Sequence, residues 1–164
     1  INSLSSLISD DPDKAELFLD EMSKVYRYLL RNNEDNLITL RMELDFIHSY
    51  FHLLKTRYGD GIELNLNIPE RLMDRSIPPL TLQILIENAV KHNVILKDHP
   101  LKMEIIPGKD DKLLVSNNLQ RKNTRVISNK VGLENIAAKY RLMNQPEIEI
   151  SENENMFCVI VPLI

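Results

Sequence analysis

At Gly59-Asp60-Gly61 the spacing of apolar residues changes period, and this divides the chain into two kinds of structure. Before that point apolar residues recur in steps of three and four. Ala15, Phe18, Met22, Val25, Tyr26 and Leu29 share one helix face, and Leu44, Ile47, Phe51, Leu54 and Tyr58 share another. Asp11-Pro12 starts the first of these helices, because Asp accepts from free backbone N–H groups and Pro supplies the φ of a first turn. That helix is expected to end near Asn32-Asn33, and the second to span about residues 40–58. Residues 1–9 read as the tail of a preceding antiparallel helix. After the glycines, residues 62–68 alternate apolar and polar with period two, as a half-buried strand does. Pro78-Pro79 opens a helix from 80 to about 96, and another is expected over 132–143. Further strands are expected at 101–106, 112–116, 147–151 and 156–161. Turns as short as Gly108-Lys109-Asp110-Asp111 force much of the sheet to be antiparallel, with both helices on one face. The expected fold class is α+β. A helical hairpin for dimerisation and connection (1–58) precedes a two-layer α/β sandwich with a mixed, largely antiparallel sheet (59–164).

Composition narrows the function. With 20 Lys and Arg against 24 Asp and Glu, the net charge of -4 supplies no long-range attraction for nucleic acid or an anionic membrane, so any basic site must be local. No apolar run approaches the roughly 20 residues of a membrane helix. The chain starts at Ile1 inside a helical pattern, so it is expected to be part of a longer protein. Cys158 is the single cysteine, which excludes an internal disulfide, and its alternation with Val159 and Val161 indicates a packed thiol. Four glycines are too few and too scattered for a Walker P-loop or a G-x-G-x-x-G turn. His48 and His52 stand one helical turn apart, but no Glu lies between them as in H-E-x-x-H, and they flank the apolar seam; packing is the simpler reading.

Two segments carry candidate chemistry. On the helix after Pro79, Leu82, Leu85, Ile86 and Ala89 form the core side, while Gln83, Glu87, Asn88, Lys91 and His92 gather opposite. An acid, a carboxamide, an ammonium and an imidazole together could hold a hydrated metal ion and its phosphates, the carboxamide oxygen of Asn88 being a suitable Mg²⁺ ligand. A solvated helix face accounts for the same residues. In the second segment a strand ends in Asn117-Asn118, and residues 119–130 then contain Arg121, Lys122, Arg125 and Lys130 without an acid. Gly132 follows and opens a helix whose first N–H groups are available to an anion. An ordinary linker and a tight turn would also explain that segment taken alone.

In order along the chain, these segments resemble the LytS-type family of sensor histidine kinases. The ATP-binding domain of that family belongs to the superfamily shared with gyrase, MutL and a heat-shock chaperone. The run from Pro78-Pro79-Leu80 through Glu87-Asn88-Ala89-Val90-Lys91-His92 is similar to the family's N-box, and Gly132-Leu133-Glu134-Asn135-Ile136 resembles its second glycine box. Asp11-Pro12-Asp13-Lys14-Ala15, Tyr28-Leu29-Leu30-Arg31 and Glu43-Leu44 through Arg57-Tyr58-Gly59-Asp60 look like its dimerisation and connecting helices.

The resemblance implies a Bergerat-type ATP-binding fold with ATP and Mg²⁺ as cofactors. Asn88 would be the metal ligand, Lys91 and His92 would approach the phosphates, and Glu87 would orient or polarise the reacting groups. Asn117 would stand where relatives recognise adenine through an Asp, and Gly132, Leu133 and Asn135 would border the nucleotide. The reaction implied is transfer of the γ-phosphate to a histidine in a segment just before Ile1, and from there to a response regulator. None of His48, His52, His92 or His99 stands in the acceptor context. A homodimer, a cytoplasmic location and a membrane attachment only through preceding segments, in an inner-membrane protein, are implied in the same way; nucleic acid is not a partner. Leu119 and Lys130 stand where the glycine boxes carry glycine, which leaves open a degenerate kinase acting as a dimerising scaffold without nucleotide. A helical interaction protein with an incidental α/β cap is the third reading.

Overall fold

The computed structural model describes residues 11–31, 37–121 and 131–164. The expectations for residues 1–9, for a helix end at Asn32-Asn33 and for Lys122, Arg125 and Lys130 of the basic loop fall outside them.

Helix α1 (Pro12–Arg31) packs against α2 (Leu40–Tyr58) as the expected pair. The bounds of α2 follow from local chemistry. The Thr39 hydroxyl accepts from the Met42 N–H at 3.3 Å, and Gly59 closes the helix at φ 54 with its N–H on the Lys55 carbonyl. Only a residue without a Cβ takes that left-handed φ at no steric cost.

Five strands form one sheet: β2 (Ile62–Leu66), β4 (Leu101–Pro107), β5 (Leu113–Asn118), β6 (Glu149–Glu152) and β7 (Met156–Val161), in the order β2-β4-β5-β7-β6. β2 pairs parallel with β4; the other pairings are antiparallel. The register brings Ile105, Val115 and Val159 side by side, and likewise Leu113 and Val161, so one face of the sheet is apolar. Over it lie α3 (Thr81–His92) and α4 (Val131–Leu142), which pack on each other. Leu82, Leu85, Ile86 and Ala89 of α3 and Ile136, Ala137 and Tyr140 of α4 share a single buried core with that face. Along β2 and β4 the opposite face carries polar pairs, with Asn65 donating to Glu104 at 3.2 Å and Lys102 near Glu63 at 3.6 Å. The α+β class and the largely antiparallel sheet are as expected from the sequence.

A two-stranded sheet was not expected. β1 (Ile38–Thr39) pairs antiparallel with β3 (Ser76–Ile77), and Ser76 exchanges backbone hydrogen bonds with Ile164 at 2.7 and 2.9 Å. Strands of two residues are too short to show a period, so only the closed fold reveals them. They anchor the start of α2 to the sandwich, and Leu40, Leu44 and Ile47 enter the same core as the sheet.

α3 starts at Thr81 and ends at His92, shorter than the expected 80 to 96. At its start Leu80 takes a left-handed backbone (φ 67, ψ 8), which lies outside a right-handed helix. At its end Asn93 leaves the helical path (φ -110, ψ 151). Its backbone N–H still reaches the Ala89 carbonyl at 3.2 Å, and its side-chain Nδ2 donates to the same oxygen at 2.8 Å.

Candidate functional site

The last turns of α3 carry Asn88 and His92, both half-buried, and Lys91, which is exposed. Glu87, one position before Asn88, turns toward the hairpin. Its Oε1 accepts from the Tyr50 hydroxyl of α2 at 3.1 Å and from Gln83 Nε2 at 2.8 Å. The polar flank read from the sequence therefore divides. Gln83 and Glu87 form a chain with Tyr50, while Ile84 and Asn88 face elsewhere. Gln83 Oε1 is buried and has no hydrogen-bond partner among the described residues.

The second segment reaches α3 from two sides. Asn117 of β5 is 5% exposed and lies on the helix-covered face of the sheet, opposite Met103 on one neighbour strand and Phe157 on the other. Its Nδ2 donates to the Asn118 carbonyl at 2.7 Å, leaving the carbonyl oxygen of the side chain as an acceptor under the helices. Past β5 the chain runs back along the end of α3. Gln120 N–H donates to Asn93 Oδ1 at 2.6 Å, and Val94 N–H donates to the Gln120 carbonyl at 2.6 Å. Arg121, the described cation of the basic loop, pairs with Glu152.

The decisive contact is at the start of α4. A Cβ built on Gly132 would stand 3.0 Å from Ile84 Cγ2. Ile84 precedes Asn88 by one helical turn, so the amino-terminal end of α4 rests on α3 just before the Asn88 position. The N–H groups of that first turn lack intrahelical acceptors. Leu133 is half-buried against the core and Asn135 is exposed. Gly132 is thus set against the Ile84 flank one turn before Asn88, and Asn117 lies on the helix-covered face of the sheet, whereas Glu87 is held by the hairpin. A group of three metal-ligating His, Cys, Asp or Glu side chains does not occur among the described residues, so a metal there would depend on Asn88 and on oxygens of a bound phosphate. A groove of about 540 Å³ lies elsewhere, between the end of α2 and the β2–β4 edge; Phe51, Lys55, Leu64 and Met103 help line it.

Three residues escaped the sequence reading. Tyr50 and Asn93 are described above. Glu43 of α2 is fully buried, and its carboxylate accepts from Leu82 N–H at 2.9 Å, from Leu80 N–H at 3.1 Å and from the Tyr28 hydroxyl of α1. Burial pushes the Glu43 carboxyl above the ordinary glutamate value, opposed by those three donors and by the charge of Lys139. Burial, and secondarily the nearby carboxylate, also raises the hydroxyls of Tyr28 (Glu43) and Tyr50 (Glu87), so both remain donors.

The chain is similar to known histidine kinases. A family model described as histidine kinase matches residues 1–62, a stretch that stops before α3. The sensor histidine kinase/phosphatase LytS of Staphylococcus aureus, in strains Mu50 and N315 among others, is 36% identical over 92 residues. That alignment covers 56% of this chain and 16% of the relative, so the chain spans a small part of the length of the curated relatives it matches. Among solved structures, the Acinetobacter baumannii histidine kinase AdeS superposes with a TM-score of 0.51 at 12% identity, covering 97% of this chain and 83% of that one. A histidine kinase from Burkholderia phymatum STM815 gives 0.51 at 16% identity, over 98% and 83%. Identities this low speak for the fold alone.

Proposed function

We propose, from the 36% identity to LytS over 92 residues, that the chain is the part of a LytS-type sensor histidine kinase that binds Mg·ATP. The γ-phosphate would pass to a histidine located before Ile1 and then to a response regulator, within a homodimer whose intact form is attached to the membrane through preceding segments and keeps this part in the cytoplasm. The contact of Gly132 with Ile84 is the observation that carries the reading, because it sets the first-turn amides of α4, which lack intrahelical acceptors, beside the helix turn that precedes Asn88.

In this reading Asn117 accepts from the adenine amino group under the helices, while Lys91 and His92 approach the phosphates and Asn88 supplies an oxygen to Mg²⁺. The metal, when bound, would neutralise charge on the phosphates. The chain's own task is positioning. The α4 amides near Gly132, Leu133 and Asn135 orient the anion, and Glu87, fixed by Tyr50 and Gln83, lies on the side of α3 from which a hairpin-borne acceptor would come. Calorimetric titration with ATP in the presence and absence of Mg²⁺ tests it. The parent chain should bind only with metal, and Asn88→Ala should remove the metal-dependent affinity. Leu119, in place of a glycine, favours a second reading, a scaffold without nucleotide. Absence of any binding by the parent would select that one.

A further inference from the structure

The start of α3 has no cap of its own. The residue before it, Leu80, has an apolar side chain and a left-handed backbone, and Pro78 and Pro79 before that carry no side-chain acceptor. First-turn N–H groups need a partner, which an Asp, Asn, Ser or Thr at that place commonly provides. Here the acceptor is brought in from another helix. Glu43 reaches across from α2, with Oε1 on the Leu82 N–H and Oε2 on the Leu80 N–H. Its remaining direction is set from α1 by the hydroxyl of Tyr28, whose ring stacks on Phe46 with centroids 4.1 Å apart. From the other side, Lys139 of α4 donates to the Pro79 carbonyl at 3.4 Å.

A leucine or methionine in place of Glu43 would fill the volume, but it would not fix direction. A carboxylate with three donors does, since a hydrogen bond weakens steeply over a fraction of an ångström and with angle. The left-handed turn at Leu80 is itself costly for a branched side chain, and its N–H is held by the same oxygen that Tyr28 engages. A shift of α1 along α2 would therefore be felt first at Leu80 and Leu82. Asn88, Lys91 and His92 follow on the same rigid helix.

We propose that Glu43 is a positioning residue: oriented by Tyr28, it ties the helix that bears Asn88 to the α1–α2 hairpin, so that hairpin geometry sets the readiness of the nucleotide site. This rests on the nucleotide reading above. It is tested with Tyr28→Phe and Glu43→Gln in this chain, by Mg·ATP calorimetry at a temperature where circular dichroism shows each variant folded, together with amide hydrogen exchange. Both variants should bind about 5- to 20-fold more weakly than the parent, a typical coupling between sites, with faster exchange confined to the first turn of α3 and β5 and β7 unchanged. A residue that merely stabilised the fold would lower the melting temperature and leave the affinity of folded protein alone; parental affinity in both variants overturns the proposal. If Glu43→Gln does not fold, Tyr28→Phe decides. If the parent itself binds no nucleotide, the nucleotide reading fails on its own account. The tie is then judged by exchange, and first-turn amides of α3 as protected in Tyr28→Phe as in the parent overturn it.

Discussion

Gly132 and Ile84 meet where the two helices of the sandwich cross, and there is room between them for a hydrogen but hardly for a methyl group, which would stand 3.0 Å from Ile84 Cγ2. Gly132→Ala should therefore lift the start of α4 by a few tenths of an ångström. The added crowding and the better helix propensity of Ala oppose each other, so stability should change by only about 1 kcal/mol, while Mg·ATP affinity falls several-fold, on the order of 1 kcal/mol. A double-mutant cycle with Ile84→Ala, read by denaturant melts, should show coupling of about 0.5 kcal/mol or more. Strict additivity would mean the two residues do not constrain each other.

Asn93 is 1% exposed and uses its whole amide, accepting from Gln120 N–H and donating to the Ala89 carbonyl. Asn93→Ala leaves the partly buried Gln120 N–H without its acceptor, while the Ala89 carbonyl keeps the backbone N–H of residue 93, and urea unfolding should show a loss of about 1–2 kcal/mol. Asn93→Asp keeps the acceptor but places a charge beside a carbonyl. It should cost at least as much near neutral pH and less in acid, where the carboxyl carries its proton.

The Tyr50 hydroxyl is a partly buried donor to Glu87. Tyr50→Phe keeps the ring against Phe46, whose centroid is 6.0 Å away, and removes only the hydrogen bond. A loss of about 1 kcal/mol in thermal or urea melts is expected. In a kinase that includes the acceptor segment, the turnover for histidine phosphorylation should fall more than ATP affinity does, since Glu87 lies on the hairpin side. An equal effect on both would place Glu87 with the nucleotide instead.

Glu43 should leave a signature in pH. Burial raises its folded-state value, against Tyr28, the Leu82 and Leu80 amides and Lys139; burial, and secondarily Glu43, raises Tyr140. A raised carboxyl holds its proton in the fold at a pH where the unfolded chain has released it. Its stabilising contribution is thus complete below the ordinary glutamate value and is lost as pH rises through the folded one. Melting temperatures of the parent and of Glu43→Gln, compared from about pH 4 to pH 8, should differ most at the acid end, with the gap closing upward. A gap that widens with pH would show that the donors outweigh burial.

Periodicity and local punctuation were enough to locate most elements. The span of α2 coincides with the expected residues 40–58 because its stop, Gly59, is written in the chain itself. The sandwich strands show the same, since alternation reports which side of a sheet is apolar. The errors fall where distant chain segments decide. α3 stops at His92 because the Val94 N–H turns to the carbonyl of the returning Gln120, whose own N–H is held by Asn93 Oδ1, and β1 with β3 exist only because residues 38–39 and 76–77 meet.

The candidate site divides along the same line. Residue types alone marked Asn88, Lys91, His92, Asn117 and Gly132, because a run of polar groups opposite an apolar helix face, a strand ending in two Asn and a glycine at a helix start are local patterns. Glu43 looked like any acid on an amphipathic helix. Its partners lie 15, 37 and 39 residues away, and nothing in a sequence separates a solvated glutamate from a buried one until the chain closes. Glu87 was grouped with Asn88 for the same reason, its bond to Tyr50 being invisible before α2 and α3 pack. Short-range order follows from backbone sterics and hydrophobic period, which act over a few residues; which polar group meets which is settled by burial, which acts on the folded whole.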